Sequence, residues 1–320
     1  MYRICWVTIS LSLLWLTIVG SSGAESGLFN AGEIGKGVRS STVLLESSRS
    51  PAIHREYSLV KIARTCRKLE LCSSSALVED QVTGESLVQK QAEAVLPIAS
   101  ITKLMTAMVV IDAKMNLEEF ITIEPKDTDT LRHSRSRLPV GTRLTRGDAL
   151  LLALMASENR AARALGRTYP GGFDACIIAM NAKARSLRLA NTHFEDPAGL
   201  SSGNVSSARE LARMVDAAYN YSLIREFTTC EEATIRSGCR VLRFCNVNRL
   251  IRNRRWQIGL SKTGFINEAG QCLVMQANVA ERPVLIVLLD AQSKVARFDD
   301  ANRIKRWMEG SPPARRKEIG

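Results

Sequence analysis

The stretch Pro97-Ile-Ala-Ser100-Ile-Thr-Lys103-Leu-Met-Thr-Ala-Met-Val-Val110 sets a serine and a lysine three residues apart at the head of an almost uniformly apolar run. Pro97 sits where a helix can begin, because a proline at the first helical position loses no intrahelical bond. Leu104, Met105, Met108, Val109 and Ile111 then predict a helix buried at the centre of a domain. Ser100 falls in or near the first turn, whose backbone N–H groups have no intrahelical partner. A nucleophile there gains an oxyanion donor from its own amide and a favourable helix-end dipole. Lys103 shares a helix face with Ser100, so its amine reaches the hydroxyl.

Two further strings follow in order, Ser157-Glu-Asn159 and Lys262-Thr263-Gly264. Each string alone is weak, whereas the ordered triple is the pattern of a serine acyl-transfer site with lysine as base. A lysine is a base only when its pKa falls well below ~10.4, through burial or a second cation nearby. Lys262 is the expected second cation, provided its strand runs beside the Ser100 helix. Ser157-Glu-Asn159 interrupts a helical pattern and is expected on a connector facing a cleft. There Ser157 passes a proton between Lys103 and a leaving amine, and the Asn159 amide holds a substrate carbonyl. In the third string Gly264 lets a substrate backbone approach closely. Lys262 and Thr263 bind a carboxylate, and the amide of Phe265 completes the oxyanion hole.

Outward from these strings, Ala76-Leu-Val78 and Ser86-Leu-Val88 flank Thr83-Gly84-Glu85 as a β-hairpin. Helical patterns dominate from Thr145 to about Phe227, including the capping-box pattern Ser207-Ala-Arg-Glu210. Gln257 to Ile266, Gln271 to Val279 and Val284 to Leu289 read as adjacent strands, and a helix from Val295 to Met308 closes the domain. Strands at both ends with helices between them predict one α+β domain: a mostly antiparallel sheet flanked by helices, with a helical subdomain inserted. Its expected span is 74–310.

Arg3 followed by the apolar run Ile4 to Val19 and then Ser22-Gly23-Ala24 reads as a signal peptide over 1–24. A spanning helix wants about 20 apolar residues, so no membrane anchor is expected after cleavage. Residues 25–73 read as a basic flexible segment and 311–320 as a disordered tail. The formal net charge is +12, and a basic chain favours polyanionic neighbours, with contact to an anionic surface through its basic residues. Export disfavours nucleic acid as a partner. The chain has 8 cysteines, with no paired CxxC spacing, which argues against a metal site. Cys230, Cys239 and Cys245 are the nearest candidates for a disulfide, and their pairing stays open. Gly199-Leu-Ser-Ser-Gly203 matches the GxSxG pattern without the apolar strand before it or the helix after it that the pattern requires.

With these motifs in hand the chain resembles the low-molecular-mass, serine-type penicillin-binding D-alanyl-D-alanine peptidases. The likeness is densest in PIASITKLMTAMVV, SRLPVGTRLTR, ALMASENRAARALGRTYPGG and SKTGFINEAGQCLVMQ. Within that family it is most similar to the small soluble endopeptidases, the branch of penicillin-binding protein 7. The resemblance implies the β-lactamase/DD-peptidase-like fold, Ser100 as acyl-ester nucleophile, Lys103 as proton acceptor, and Ser157 as third active-site residue. Lys262 follows as a substrate-binding residue, with Asn159 and Thr263 in support. It also implies peptidoglycan peptides as substrate, β-lactams as covalent inhibitors, a periplasmic location, and no metal or organic cofactor. Two other readings compete. A β-lactamase needs a deacylating glutamate, and the nearest candidate, Glu195 in Glu195-Asp-Pro-Ala-Gly199, lacks the asparagine of the ExxLN setting. A non-catalytic wall-binding scaffold is disfavoured by the intact triple.

Overall fold

The computed structural model describes residues 69–237 and 240–310. The expected leader, nearly all of the basic segment and the tail lie outside the described residues. Strands β1 (Ser73–Asp80) and β2 (Ser86–Lys90) form the expected hairpin. The Asp80 carboxylate accepts the N–H groups of Val82 and Thr83 at 3.0 and 2.9 Å, and Gly84 takes a φ of 71° to close the turn. Next come β3 (Leu96–Pro97), a 3₁₀ turn (Ala99–Thr102) and helix α1 (Lys103–Asp112). Pro97 therefore does not start the helix. It sits in a short strand opposite Val205, and the helix begins only after Ala99 has turned the chain with a φ of 48°.

Strands β4 (Phe120–Thr122) and β5 (Arg143–Thr145) pair beside the helical layer, which continues through α2 (Arg146–Met155), α3 (Asn159–Arg167) and α4 (Gly172–Ser186). Thr145 caps α2, its Oγ1 accepting from the Asp148 amide at 3.0 Å. Strand β6 (Val205–Ser206) leads to α5 (Ala208–Tyr219) and α6 (Ser222–Thr229). Only half of the expected capping box forms at α5. Ser207 Oγ accepts from the Glu210 amide at 3.2 Å, but the Glu210 carboxylate turns away to the Asn191 amide and the Thr192 hydroxyl. A tertiary partner has taken the side chain that the local pattern reserved for the helix end.

The hairpin of β7 (Glu232–Ser237) and β8 (Arg240–Cys245) was not legible beforehand, because its arginine-rich strands carry little apolar alternation. Then follow β9 (Gln257–Ile266), β10 (Gly270–Val279), β11 (Arg282–Ala291) and α7 (Lys294–Met308), as the sequence predicts. The main sheet has the order β2-β1-β11-β10-β9, and every pair in it is antiparallel.

Both faces of this sheet are covered. Leu77, Val274, Leu285, Val287 and Leu289 point into the helical layer of α1 to α6, while Ala76, Val78, Met275, Ile286 and Leu288 point to α7. That is why β11 reads as an unbroken apolar run rather than an alternation. Each such Leu, Ile or Val contributes about 1.5–3 kcal/mol by leaving water. Leu69 and Leu71 pack on the α7 side, and buried Asp300 of α7 accepts the amides of Cys72 and Ser73 at 3.0 and 2.7 Å. The start of β1 is thereby tied to the last helix. Strand β9 is left as the sheet edge that lies against the 3₁₀ turn and α6. Among the described residues no helix is long and apolar enough to cross a membrane.

Candidate active site

Ser100 sits on a turn clamped by main chain from two sides. A Cβ on Gly199 (φ 76°) would lie 2.0 Å from Ala99 O, and one on Gly264 would lie 2.8 Å from Ile98 O and 3.2 Å from Ser100 N. Both positions exclude any side chain. Gly264 thus packs directly against the turn that carries Ser100. In a 3₁₀ turn side chains three apart eclipse, and Lys103 Nζ lies 2.7 Å from Ser100 Oγ. The ammonium also donates to Asn159 Oδ1 at 2.8 Å and Ala198 O at 2.5 Å.

Lys103 is 1% exposed. Burial pushes its pKa down to about 7, against the carboxylates of Asp196, Glu158 and Asp129, which favour the charged form. The like charge of Lys262 opposes the Lys103 ammonium as Lys103 opposes that of Lys262, and burial is the larger cause at both. Burial holds the Lys262 pKa well below its ordinary value, and the charges of Lys103 and Arg297 add to that. The surroundings of Lys103 satisfy either protonation state. As ammonium it has three acceptors; as amine it keeps two donors for Asn159 and Ala198 and offers its lone pair to the Ser100 hydroxyl.

Ser157 joins the C-terminal end of α2 to the start of α3, in the left-handed region at φ 57°. This backbone state costs ~1–3 kcal/mol and persists where the surroundings hold it. Lys262 Nζ donates to Ser157 Oγ at 2.8 Å and to Thr263 O at 2.9 Å. The structure thus brings Ser100, Lys103, Ser157, Asn159 and Lys262 together, with Thr263, Gly264 and Phe265 following along the edge strand. The Phe265 side chain is exposed. The Asn159 amide is engaged at both ends, accepting from Lys103 and donating to Ser134 Oγ at 2.8 Å.

Sequence reasoning missed the groups that hold these residues in place. Asp196 accepts four backbone N–H groups, from Ala198 and Gly199 at 2.7 and 2.8 Å and from Leu200 and Ser201 at 3.0 and 2.8 Å. That knot aims the Ala198 carbonyl at Lys103. Asn204 ties it to the turn that carries Ser100, donating to Thr102 Oγ1 at 3.0 Å and Asp196 O at 2.9 Å. Arg297, buried on α7, donates to Gly264 O at 2.9 Å and Cys272 O at 3.0 Å from behind the strand, and burial lowers its pKa to about 10. A signal for it was present. Arg297 occupies the apolar stripe it shares with Ala301 and Ile304, where a charge needs a specific partner. Glu195 spends its carboxylate on the Ser201 hydroxyl.

Comparison with known proteins places the chain in a family. A family profile described as D-alanyl-D-alanine carboxypeptidase matches residues 62–293. The chain is 50% identical over 242 residues to the D-alanyl-D-alanine endopeptidase of Pseudomonas aeruginosa, covering 75% of this chain and 78% of that protein. It is 44% identical over 249 residues to the D-alanyl-D-alanine endopeptidase of Escherichia coli K12, covering 77% and 80%. The crystal structure of the Streptomyces K15 DD-transpeptidase superposes with a TM-score of 0.70 at 27% identity, over 76% of this chain and 99% of that one. By its α+β fold, the order of its motifs and the extent of these matches, the chain belongs to the D-alanyl-D-alanine carboxypeptidase family of serine peptidases.

Proposed function

We propose that the protein is an exported serine-type D-alanyl-D-alanine peptidase that cleaves peptidoglycan peptides through an ester on Ser100. The observation that carries this reading is the buried contact of 2.7 Å between Ser100 and Lys103, with the lysine pKa near 7. Neutral Lys103 takes the Ser100 proton as Oγ attacks the D-alanyl carbonyl. The amides of Ser100 and Phe265 stabilise the oxyanion. The proton then passes from Lys103 through Ser157 to the departing amine, and water returns the acyl group as the free acid. Lys262 and Thr263 hold the carboxylate beside the scissile bond, and Asn159 positions the donor peptide.

Residues 1–24 act as the leader and the segment from 25 as a basic tether; the catalytic domain, expected from 74, takes in 69–73 as well, because Leu69 and Leu71 pack on α7 and Asp300 holds the Cys72 and Ser73 amides, and it runs to 310, with 311–320 as a tail. The location is the periplasm, with peripheral contact through basic surface. β-Lactams, which mimic the scissile amide, acylate Ser100. The two endopeptidase relatives favour cleavage of cross-links over release of terminal D-alanine. Digestion of cross-linked and uncross-linked muropeptides, read by mass, tests this. Loss of dimers with terminal D-alanine retained is expected; release of D-alanine alone overturns the endopeptidase assignment. Failure to form a covalent adduct with labelled penicillin overturns the acyl-enzyme itself, and rapid multiple turnover of penicillin replaces it with a β-lactamase.

A further inference from the structure

From Arg236 to Arg255 the chain carries seven arginines and no lysine, aspartate or glutamate. The hairpin of β7 and β8 sorts those it holds. Ile235 and Phe244 are buried and turn its inner face to the helical layer, so the outer face carries Thr234 opposite Arg243 and Arg236 opposite Val241. Arg236, Arg240 and Arg243 are exposed. So is Arg252 at the hairpin base, where its guanidinium donates to Glu231 O at 3.3 Å.

The hairpin leans on the loop that walls the cleft. In that loop Asp129 accepts the amides of Leu131, Arg132 and Ser134, and Ser134 Oγ accepts from the Asn159 amide at 2.8 Å. Three residues on, Arg137 donates to Arg243 O at 2.8 Å and lies over the Phe244 ring, 5.0 Å from its centroid. Arg135, between them, is exposed. Arg135, Arg137, Arg236, Arg240, Arg243 and Arg252 thus make a basic surface that starts at the cleft wall. The carboxylates nearest in the hairpin are Glu231 and Glu232 at its base, and Glu232 pairs with Arg243.

Crowded like charges repel and cost the fold stability, whereas an interspersed surface keeps a domain soluble without that cost. A guanidinium fork matches a carboxylate with two parallel bonds, which an ammonium cannot do, and this surface uses arginine throughout. Because it starts at the cleft wall, a polymer with its scissile bond at Ser100 has further acid groups within its reach.

We infer that the β7 and β8 hairpin, with the loop around Arg135 and Arg137, docks a second, carboxylate-bearing peptide of the cross-linked wall, on the same polymer as the bond being cut. This rests on the reading of the chain as a wall-peptide peptidase. Wall peptides outside a cross-link end in a free carboxylate, so intact wall offers the surface many ligands at once. A weak contact repeated beside the cleft raises the local concentration of bonds to cut. An excised dimer brings no such neighbour. The surface selects the polymer and leaves the bond chemistry to Ser100 and Lys103.

The test compares digestion of intact wall with digestion of excised cross-linked dimers, both read by mass. Wild type is expected to slow about 10-fold on intact wall as salt rises from about 0.05 to about 0.5 M, which shortens the reach of charge, and to change within about 2-fold on dimers. The triple variant Arg135→Gln, Arg236→Gln, Arg240→Gln should cut intact wall about 10-fold more slowly at the lower salt, equivalent to about 1.4 kcal/mol. Its kcat/KM on dimers stays within about 2-fold, and its thermal melt is unchanged. An unmoved rate on intact wall overturns the inference, and so does an equal loss on wall and dimers, which marks the hairpin as a prop for the cleft loop. Vesicles of anionic phospholipid that sediment with wild type but not with the variant, while wall digestion is unmoved, assign the surface to a bilayer instead. A wild type that forms the penicillin adduct yet cuts neither substrate overturns the wall-peptide reading itself.

Discussion

The pKa of Lys103 gives the mechanism a quantitative handle. An ordinary lysine titrates at 10.5, and burial brings Lys103 to about 7. At neutral pH about half of the molecules then carry the free amine, against about one in 3,000 for an unshifted lysine. Acylation of Ser100 by a fluorescent penicillin, followed by stopped flow, is expected to rise tenfold per pH unit below about 6. It bends near 7 and is flat by 9. The same shift has a stability consequence. The unfolded chain holds the Lys103 proton up to about 10.4 and the folded chain releases it near 7, so between those values unfolding takes up a proton and stability rises with pH. At 1.36 kcal/mol per pKa unit the shift from 10.5 to about 7 is worth about 5 kcal/mol. Lys103→Met, of similar length and without the charge, should abolish acylation yet unfold at a higher denaturant concentration than wild type at pH 6. Its stability should also climb less between pH 7 and 10. It removes as well the like charge that opposes the Lys262 ammonium. A rate still climbing tenfold per unit at pH 9, or a Lys103→Met variant less stable than wild type at pH 6, would refute the assignment of Lys103 as a buried, largely neutral base.

Three other perturbations follow from the same geometry. Gly264→Ala pushes a methyl to within 2.8 Å of Ile98 O, so denaturant titration should register a loss of about 1–3 kcal/mol together with slower acylation. Asp196→Asn removes a carboxylate that favours the Lys103 ammonium, which moves the midpoint of the acylation profile to lower pH; an unmoved midpoint contradicts the electrostatic picture. Ser157→Gly relieves the left-handed backbone but takes an acceptor from buried Lys262, at a cost of about 1–3 kcal/mol, so calorimetry should show no net gain while peptide cleavage drops about 100-fold for want of the hydroxyl relay.

The hairpin around Gly84, the three late strands and α7 were legible because each is governed by local rules, by turn chemistry or by apolar period. The motifs also announced a serine and a lysine on one face. What local pattern missed is instructive. Pro97 looked like a helix start, but the chain spends Ala99 on a reversal because Gly199 and Gly264 press against it from segments far along the sequence. Glu210 looked like a capping-box acid and instead holds Asn191 and Thr192. The arginine-rich β7 and β8 hairpin has too little alternation to be read at all.

The order and spacing of Ser100, Lys103, Ser157, Asn159 and Lys262 by themselves determine the kind of chemistry this chain is built for, since side-chain identity and a three-residue step are local properties. Tertiary structure alone decided that burial lowers the Lys103 pKa to about 7 and brings a second buried lysine, Lys262, close enough to oppose its charge. It also decided that Asp196 and Arg297 hold the two sides of the site. Desolvation and charge proximity are sums over neighbours from distant parts of the chain, and no window of sequence contains them.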